Sequence, residues 1–312
     1  NFNISFPRDK FEKLITSMGW NSLDDWSRHW ENKQEILSIN NFWDARVNDD
    51  WIWGLALPLL TQAYNFKKNF TERKIIGISA LPGTGKTTLG KWLEAISLKL
   101  QFKIAVISID DFYLPSEEMK IAIKNNPWNV SRGFPGSHSV TLMQEKLIDW
   151  KLNGELNVPV FDKSLRNGLG DRSHWRKDNP DILILEGWFL GVNPLLKEIN
   201  EPEIISPPLS SQEIFYREII QSNLNQYIET WDLIDDIWHL KPIKFEYMYL
   251  WKSNQEKQMM LDKGQALKDI ELANFLRMLT VSIPQKSFDF INSNVLLLIN
   301  HERKLTQVGL NI

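Results

Sequence analysis

The chain has 312 residues, 43% apolar and 24% charged, with a formal net charge of -3. This is ordinary globular composition, long enough for a large α/β domain or a core with helical additions, and it lacks the basic field that binds nucleic-acid phosphates. It has no cysteine, which excludes disulfides, thiolate metal sites and a cysteine nucleophile. The apolar run around Ile52 to Leu60 falls well short of the roughly 18 to 20 residues of a membrane span, so neither membrane nor nucleic acid is expected as a partner. Residues Asn1 to Phe6 show neither region of a secretory signal, and a cytoplasmic location is expected.

In chain order, residues 1–70 are rich in Trp, Asn, Asp and Lys, with a helix-start signal at Ser22-Leu23-Asp24-Asp25; they read as a helical N-terminal extension. Residues 71–312 read as the main domain. Ile75 to Ser79 form a short apolar run that reads as a buried parallel strand. Leu89, Trp92, Leu93, Ile96 and Leu100 then recur at helical spacing. Ile104 to Ile109 is the next strand, and a helix is expected from near Ser139 to just before Gly154, with Ser139 available as its cap. Val158 to Phe161 and Ile182 to Leu185 read as strands, Glu213 to Tyr227 as a helix, and Leu233 to Leu240 as a strand. Long helical stretches follow through Trp251 and Phe275, and Val295 to Ile299 is expected as the last strand. Strands alternating with helices imply parallel βαβ units with helices on both faces of one sheet.

Between the first strand and its helix lies Ala80-Leu81-Pro82-Gly83-Thr84-Gly85-Lys86-Thr87-Thr88. The Gly-Lys-Thr in a strand-loop-helix context is the signature of a Walker A phosphate-binding loop, although the first position, usually Gly, is Ala80. Backbone N–H groups from Leu81 to Thr88 and the helix N-terminus would cradle phosphate oxygens, Lys86 would reach the β- and γ-phosphates of ATP, and Thr87 would place its hydroxyl on Mg²⁺. Asp110 and Asp111 lie at the carboxyl end of the second strand, where open α/β sheets bind ligands. One is expected to act on an acceptor hydroxyl or Mg²⁺, and the other to cap the following segment. Asp181 to Gly187 is an apolar strand ending in Glu186, the shape of a Walker B element, which places Glu186 near the metal.

Two glycine-containing basic segments, Ser131 to His138 and Phe161 to Arg172, read as loops suited to a carboxylate or phosphate. The fourteen tryptophans mostly fall in helical patterns, where burial is the default. No Asn-Lys-x-Asp guanine signature occurs, which argues against a GTPase.

The Walker loop, Ser-Ile-Asp-Asp-Phe-Tyr at 108–113, Arg-Gly-Phe-Pro-Gly-Ser-His at 132–138, Val-Pro-Val-Phe-Asp-Lys-Ser at 158–164 and Leu-Glu-Gly-Trp-Phe-Leu-Gly-Val at 185–192 together resemble plant-type D-glycerate 3-kinase. That family belongs with the uridine kinase, phosphoribulokinase and bacterial pantothenate kinase group. The resemblance runs in order from about Lys74 to Val192, and more weakly through Trp251 to Glu256 and the helix around Phe275. It implies a three-layer α/β/α P-loop fold with a mainly parallel sheet, and phosphorylation of D-glycerate to 3-phosphoglycerate with ATP and Mg²⁺. It also implies Asp110 rather than Asp111 as the base, and Thr87, Asp110 and Glu186 around the metal. Arg132, His138, Asp162, Lys163 and Arg172 are the implied substrate residues. The chain departs from the family at Ser139, where Asp is expected, and at Lys252, where Arg is expected in a lid-like contact to ATP. A kinase of the same architecture for pantothenate or a nucleoside, and an ATP-binding regulator without turnover, are the rival readings.

Overall fold

The computed structural model describes residues 2–33, 49–195, 204–263 and 267–311. The elements run α1 (Arg8–Ser17), α2 (Leu23–Glu31), a short helical turn Asp49–Trp51 leading through a π-helical turn Ile52–Ala56 into α3 (Leu57–Asn69), then β1 (Ile75–Ala80), α4 (Lys86–Lys99), β2 (Ile104–Ser108) and a 3₁₀ turn Ile109–Phe112. They continue as α5 (Ser116–Ala122), α6 (Val140–Asn153), β3 (Leu156–Asp162), β4 (Asp171–Asp178), β5 (Ile182–Gly187), α7 (Ser211–Leu224) and α8 (Ile228–Asp232). The chain ends with β6 (Asp236–Pro242), α9 (Tyr247–Lys263), α10 (Asp269–Val281), β7 (Val295–Ile299) and β8 (Leu305–Leu310). No described helix is long and apolar enough to cross a membrane.

The main sheet has the order β2-β5-β1-β6-β7-β8. All neighbouring pairs are parallel except β7 with β8. The apolar runs foreseen at β1 and β5 are buried on both faces, as parallel strands between helical layers must be. Successive side chains of β1 feed two cores. Ile76 and Ile78 join a cluster with Leu89, Trp92, Leu93 and Ile96 of α4 and with Phe11, Trp26, Leu57 and Leu60 from the N-terminal helices. Ile75 joins Met143, Leu147 and Trp150 of α6 and Ile220 and Leu224 of α7 on the other face. Trp26 is fully buried and donates its indole N–H to the Thr61 hydroxyl at 2.9 Å.

The open edge at β2 is closed by side chains. Glu94 and Ser97 accept the amides of Val106 and Ile104, and Arg176 donates to the Val106 carbonyl. Filling an unpaired ladder in this way denies it to other chains.

Four sequence expectations require correction. Val295–Ile299 is not the last strand, because β8 returns antiparallel beside it; its mixed Leu-Thr-Gln-Val-Gly-Leu pattern lacks the apolar run of a central strand. The strand expected at Leu233 to Leu240 begins later, at Asp236, since Leu233 and Ile234 close a turn onto Thr230 and Trp231. The segment Phe161 to Arg172 is not simply a loop: it is the turn of a hairpin in which β3 and β4 pair antiparallel, outside the main sheet. β4 leaves no apolar signature because it is held by the ladder rather than by burial, with Ser173, His174 and Trp175 exposed. Ser139 stands at the N-cap position of α6, but its side chain makes no cap bond; the hydroxyl is taken by Arg172 at 2.7 Å instead.

Candidate active site

Four features converge at the carboxyl edge of the parallel sheet: the loop after β1, the 3₁₀ turn after β2, the end of β5 and the hairpin turn. The loop turns at Gly83 (φ 81°) and Gly85 (φ 110°), left-handed conformations that disfavour a side chain. Gly85 is the N-cap of the fourteen-residue α4 and offers no capping side chain, so the first amides of that helix stay available to an anion. Lys86 folds back over the loop, its ammonium 2.7 Å from the Ala80 carbonyl, 3.3 Å from that of Leu81 and 3.7 Å from Glu186. Thr87 is exposed on the first turn, with Thr88 beside it. The Leu81 side chain is buried in the core and the Thr84 hydroxyl is spent on the Leu81 carbonyl at 2.6 Å, so these two, like Pro82, Gly83 and Gly85, bring backbone only.

The two acids after β2 separate in role. Asp111 closes a capping box with Ser108, accepting its amide at 3.0 Å. Burial, reinforced by the charges of Asp110 and Glu186, pushes its carboxyl up to about 6. Asp110 instead meets the Lys163 ammonium at 2.6 Å. Burial alone would raise Asp110; the Lys163 charge, with hydrogen bonds from Lys163 and Tyr113, holds it well below the usual carboxylate range. Glu186 ends β5 in register with Ser108 of β2 and Ile78 of β1, which puts it between Asp110 and the phosphate loop.

The segment Ser131 to His138 is zipped to the strip after β2: Leu114 donates to the Ser137 carbonyl, Ser139 to that of Phe112, and Tyr113 bridges His138. Trp188 donates to the Gly133 carbonyl at 2.7 Å. Arg132 gives its guanidinium to the carbonyls of Gly168 and Leu169 at 3.0 and 2.7 Å and lies over Phe161, clamping this segment to the hairpin turn. His138 is buried, stacked on Tyr113 at 4.5 Å, and its ring is pushed down to about 4 by burial. It is therefore neutral at pH 7.

Asp110, Lys163, Arg132 and His138 thus lie together beside Glu186 and Lys86. Two other sequence candidates do not point inward. Asp162 folds onto its own turn, accepting the amide and hydroxyl of Ser164. Arg172 braces the Tyr113 carbonyl and Ser139 from behind. Lys252, partly buried, pairs with Glu256 at 2.5 Å and lies over Phe275, so its ammonium is tied within the helical layer. Its backbone, with that of Trp251, lies directly on Gly83. Tyr113 and Tyr227 escaped the sequence reading; Tyr227 touches His138 across 89 positions, a relation no local pattern carries.

A Cβ at Gly83 would stand 2.8 Å from the Trp251 carbonyl carbon and 2.9 Å from the Lys252 nitrogen, at a positive φ. Gly83→Ala is therefore expected to push α9 off the loop and raise the KM for ATP about tenfold or more, while the urea midpoint moves little. Unchanged ATP kinetics would show that α9 does not set the loop.

A strand-loop-helix cradle with a lysine, flanked by acids at the ends of two neighbouring parallel strands, defines a P-loop kinase fold. No family model matches the chain. It is 34% identical over 215 residues to the chloroplastic D-glycerate 3-kinase of Arabidopsis thaliana, covering 65% of this chain and 45% of that protein. It is 30% identical over 215 residues to the uncharacterized kinase mug58 of Schizosaccharomyces pombe, covering 65% of this chain and 76% of that one. A solved structure described as D-glycerate 3-kinase from Cryptococcus neoformans superposes with a TM-score of 0.67 over 82% of this chain and 97% of its own, at 24% identity, and shares the fold. The chain belongs to the family of P-loop kinases that includes the Arabidopsis and fission-yeast proteins. It spans less than half the length of the plant relative.

Proposed function

We propose that the protein transfers the γ-phosphoryl group of ATP to a hydroxyl of D-glycerate, giving 3-phosphoglycerate and ADP. The observation that carries this reading is Asp110, paired with Lys163 at 2.6 Å beside the phosphate cradle. A small hydroxy acid needs a carboxylate to take its hydroxyl proton and a cation to receive its own carboxylate, and the two stand side by side. The 34% identity to a protein named D-glycerate 3-kinase supports the choice of acceptor.

In this reading the amides of residues 81–88 and the Lys86 ammonium hold the triphosphate, and the ammonium moves from the loop carbonyls to the β- and γ-oxygens. Acceptor entry draws Lys163 from Asp110 to the incoming anion. Asp110, relieved of the charge that depresses it, then becomes a better base. The acceptor oxygen attacks the γ-phosphorus, its proton passes to Asp110, and the bond from that phosphorus to the bridging oxygen of ADP breaks.

Thr87, Asp110 and Glu186 offer the oxygen donors that suit Mg²⁺. Few protein donors suffice for Mg²⁺, which fills the rest of its shell with water and phosphate oxygens. When bound, Mg²⁺ neutralises charge on those oxygens.

The test is ADP release with MgATP against D-glycerate, L-glycerate, pantothenate, uridine and no acceptor. Turnover confined to D-glycerate is expected. Turnover with pantothenate or uridine instead would reassign the acceptor, and ATP binding without turnover would favour a regulator.

A further inference from the structure

The Tyr227 hydroxyl is buried and accepts the backbone N–H of Gly136 at 3.0 Å. Its own proton remains to be placed, and a buried hydroxyl proton needs an acceptor. His138 Nδ1 lies 2.8 Å away. Among the described residues Nδ1 is the acceptor that the tyrosine proton meets, so a proton on Nδ1 would leave the buried tyrosine proton stranded. Nδ1 must be the acceptor, so the imidazole proton sits on Nε2.

That Nε2–H is buried and has no hydrogen-bond partner. A buried donor without a partner carries a desolvation cost unless a ligand completes it. The charged groups acting on the ring are Asp110 and Lys163, the pair that an acceptor hydroxyl must separate before Asp110 can take its proton.

We infer that Tyr227 is a positioning residue for the acceptor: it fixes His138 as the Nε2–H tautomer, and an oxygen of the acceptor entering beside Asp110 and Lys163 completes that donor. The inference rests on the kinase reading of the site, and it adds a specificity element that neither motif nor charge reveals. An acceptor with an oxygen at this place is rewarded, and one with an apolar group there leaves the donor stranded.

The test combines ¹⁵N imidazole spectroscopy with steady-state kinetics on the full chain. In the wild type, His138 is expected as the Nε2–H tautomer, and in Tyr227→Phe as a mixture or as Nδ1–H. An Nδ1–H wild type overturns the inference. With D-glycerate, Tyr227→Phe is expected to lower kcat/KM for the acceptor roughly 10- to 100-fold, the loss of one well-placed donor, with KM for ATP within about twofold.

His138→Gln supplies an amide donor that has no tautomer to choose. It is expected to keep more activity than His138→Phe, and adding Tyr227→Phe to it should cost less than about threefold. Equal costs of Tyr227→Phe in both backgrounds, or parallel losses for ATP and acceptor, mean a structural role and overturn the inference. If the wild type turns over no glycerate, the acceptor assignment falls, and the acceptor half of the inference with it; the tautomer measurement still decides the role of Tyr227.

Discussion

Replacing Lys86 with alanine is expected to lower kcat/KM for MgATP by at least about 10³-fold, the scale of losing a cation that neutralises the transferring phosphoryl group. Its ammonium lies over the phosphate loop, held on the Ala80 and Leu81 carbonyls and 3.7 Å from Glu186. These are weak neutral acceptors and one longer ion-pair contact, so the lysine leaves them for a triphosphate at little cost. Alanine removes the phosphate's counter-charge and leaves Glu186 facing the phosphates unscreened. ADP release measured with saturating acceptor reads the effect directly. A loss under tenfold would mean that the loop binds phosphate through its amides alone.

Asp110→Asn is the second large expectation: a fall in kcat of roughly 10²- to 10⁴-fold, the range of a lost general base, with ATP affinity within a few-fold of wild type. Asparagine keeps the shape but cannot take the acceptor proton. The substitution also releases Lys163, whose charge Asp110 sustains. Isothermal titration with ATP and single-turnover phosphoryl transfer measure the two halves. If ATP affinity collapses while transfer per bound ATP is retained, Asp110 serves the nucleotide and not the acceptor.

The same pair predicts a pH dependence of stability. The Asp110 carboxyl is depressed in the folded chain, so its contribution is fully present above the ordinary carboxylate range and is lost as pH falls below it toward the folded value. His138 does not help at neutral pH, because its ring gains charge only below about 4.

How much of this was legible in the sequence depended on whether a feature is local. The phosphate loop, β1 and β5 were readable because a buried parallel strand must be apolar along its length and a phosphate cradle must carry glycine, lysine and threonine at fixed spacing. The expectation that one of Asp110 and Asp111 caps its own turn needed only the neighbouring Ser108. By contrast, β4 is polar and exposed, and only the ladder to β3 makes it a strand. Asp162 and Arg172 fit any anion-binding pattern by type, yet the first satisfies its own turn and the second props Tyr113 and Ser139. Which charged residue of a loop faces the ligand is set by the fold of the turn, which residue type does not report.

Trp51, from the segment before the motif, lies 3.9 Å from where a Cβ on Gly85 would sit and donates its indole N–H to the Arg303 carbonyl in the turn between β7 and β8. A boundary drawn at the first residue of β1 would look natural to anyone trimming the chain to its recognisable motifs. It would also remove the ring that walls the nucleotide loop and bare the face of the sheet that Phe11, Trp26 and Leu57 now cover. In such a shortened version the motif would survive letter for letter while the pocket it describes lost one of its sides. In this chain the smallest portable unit around the phosphate loop therefore begins well upstream of the residues by which it is recognised.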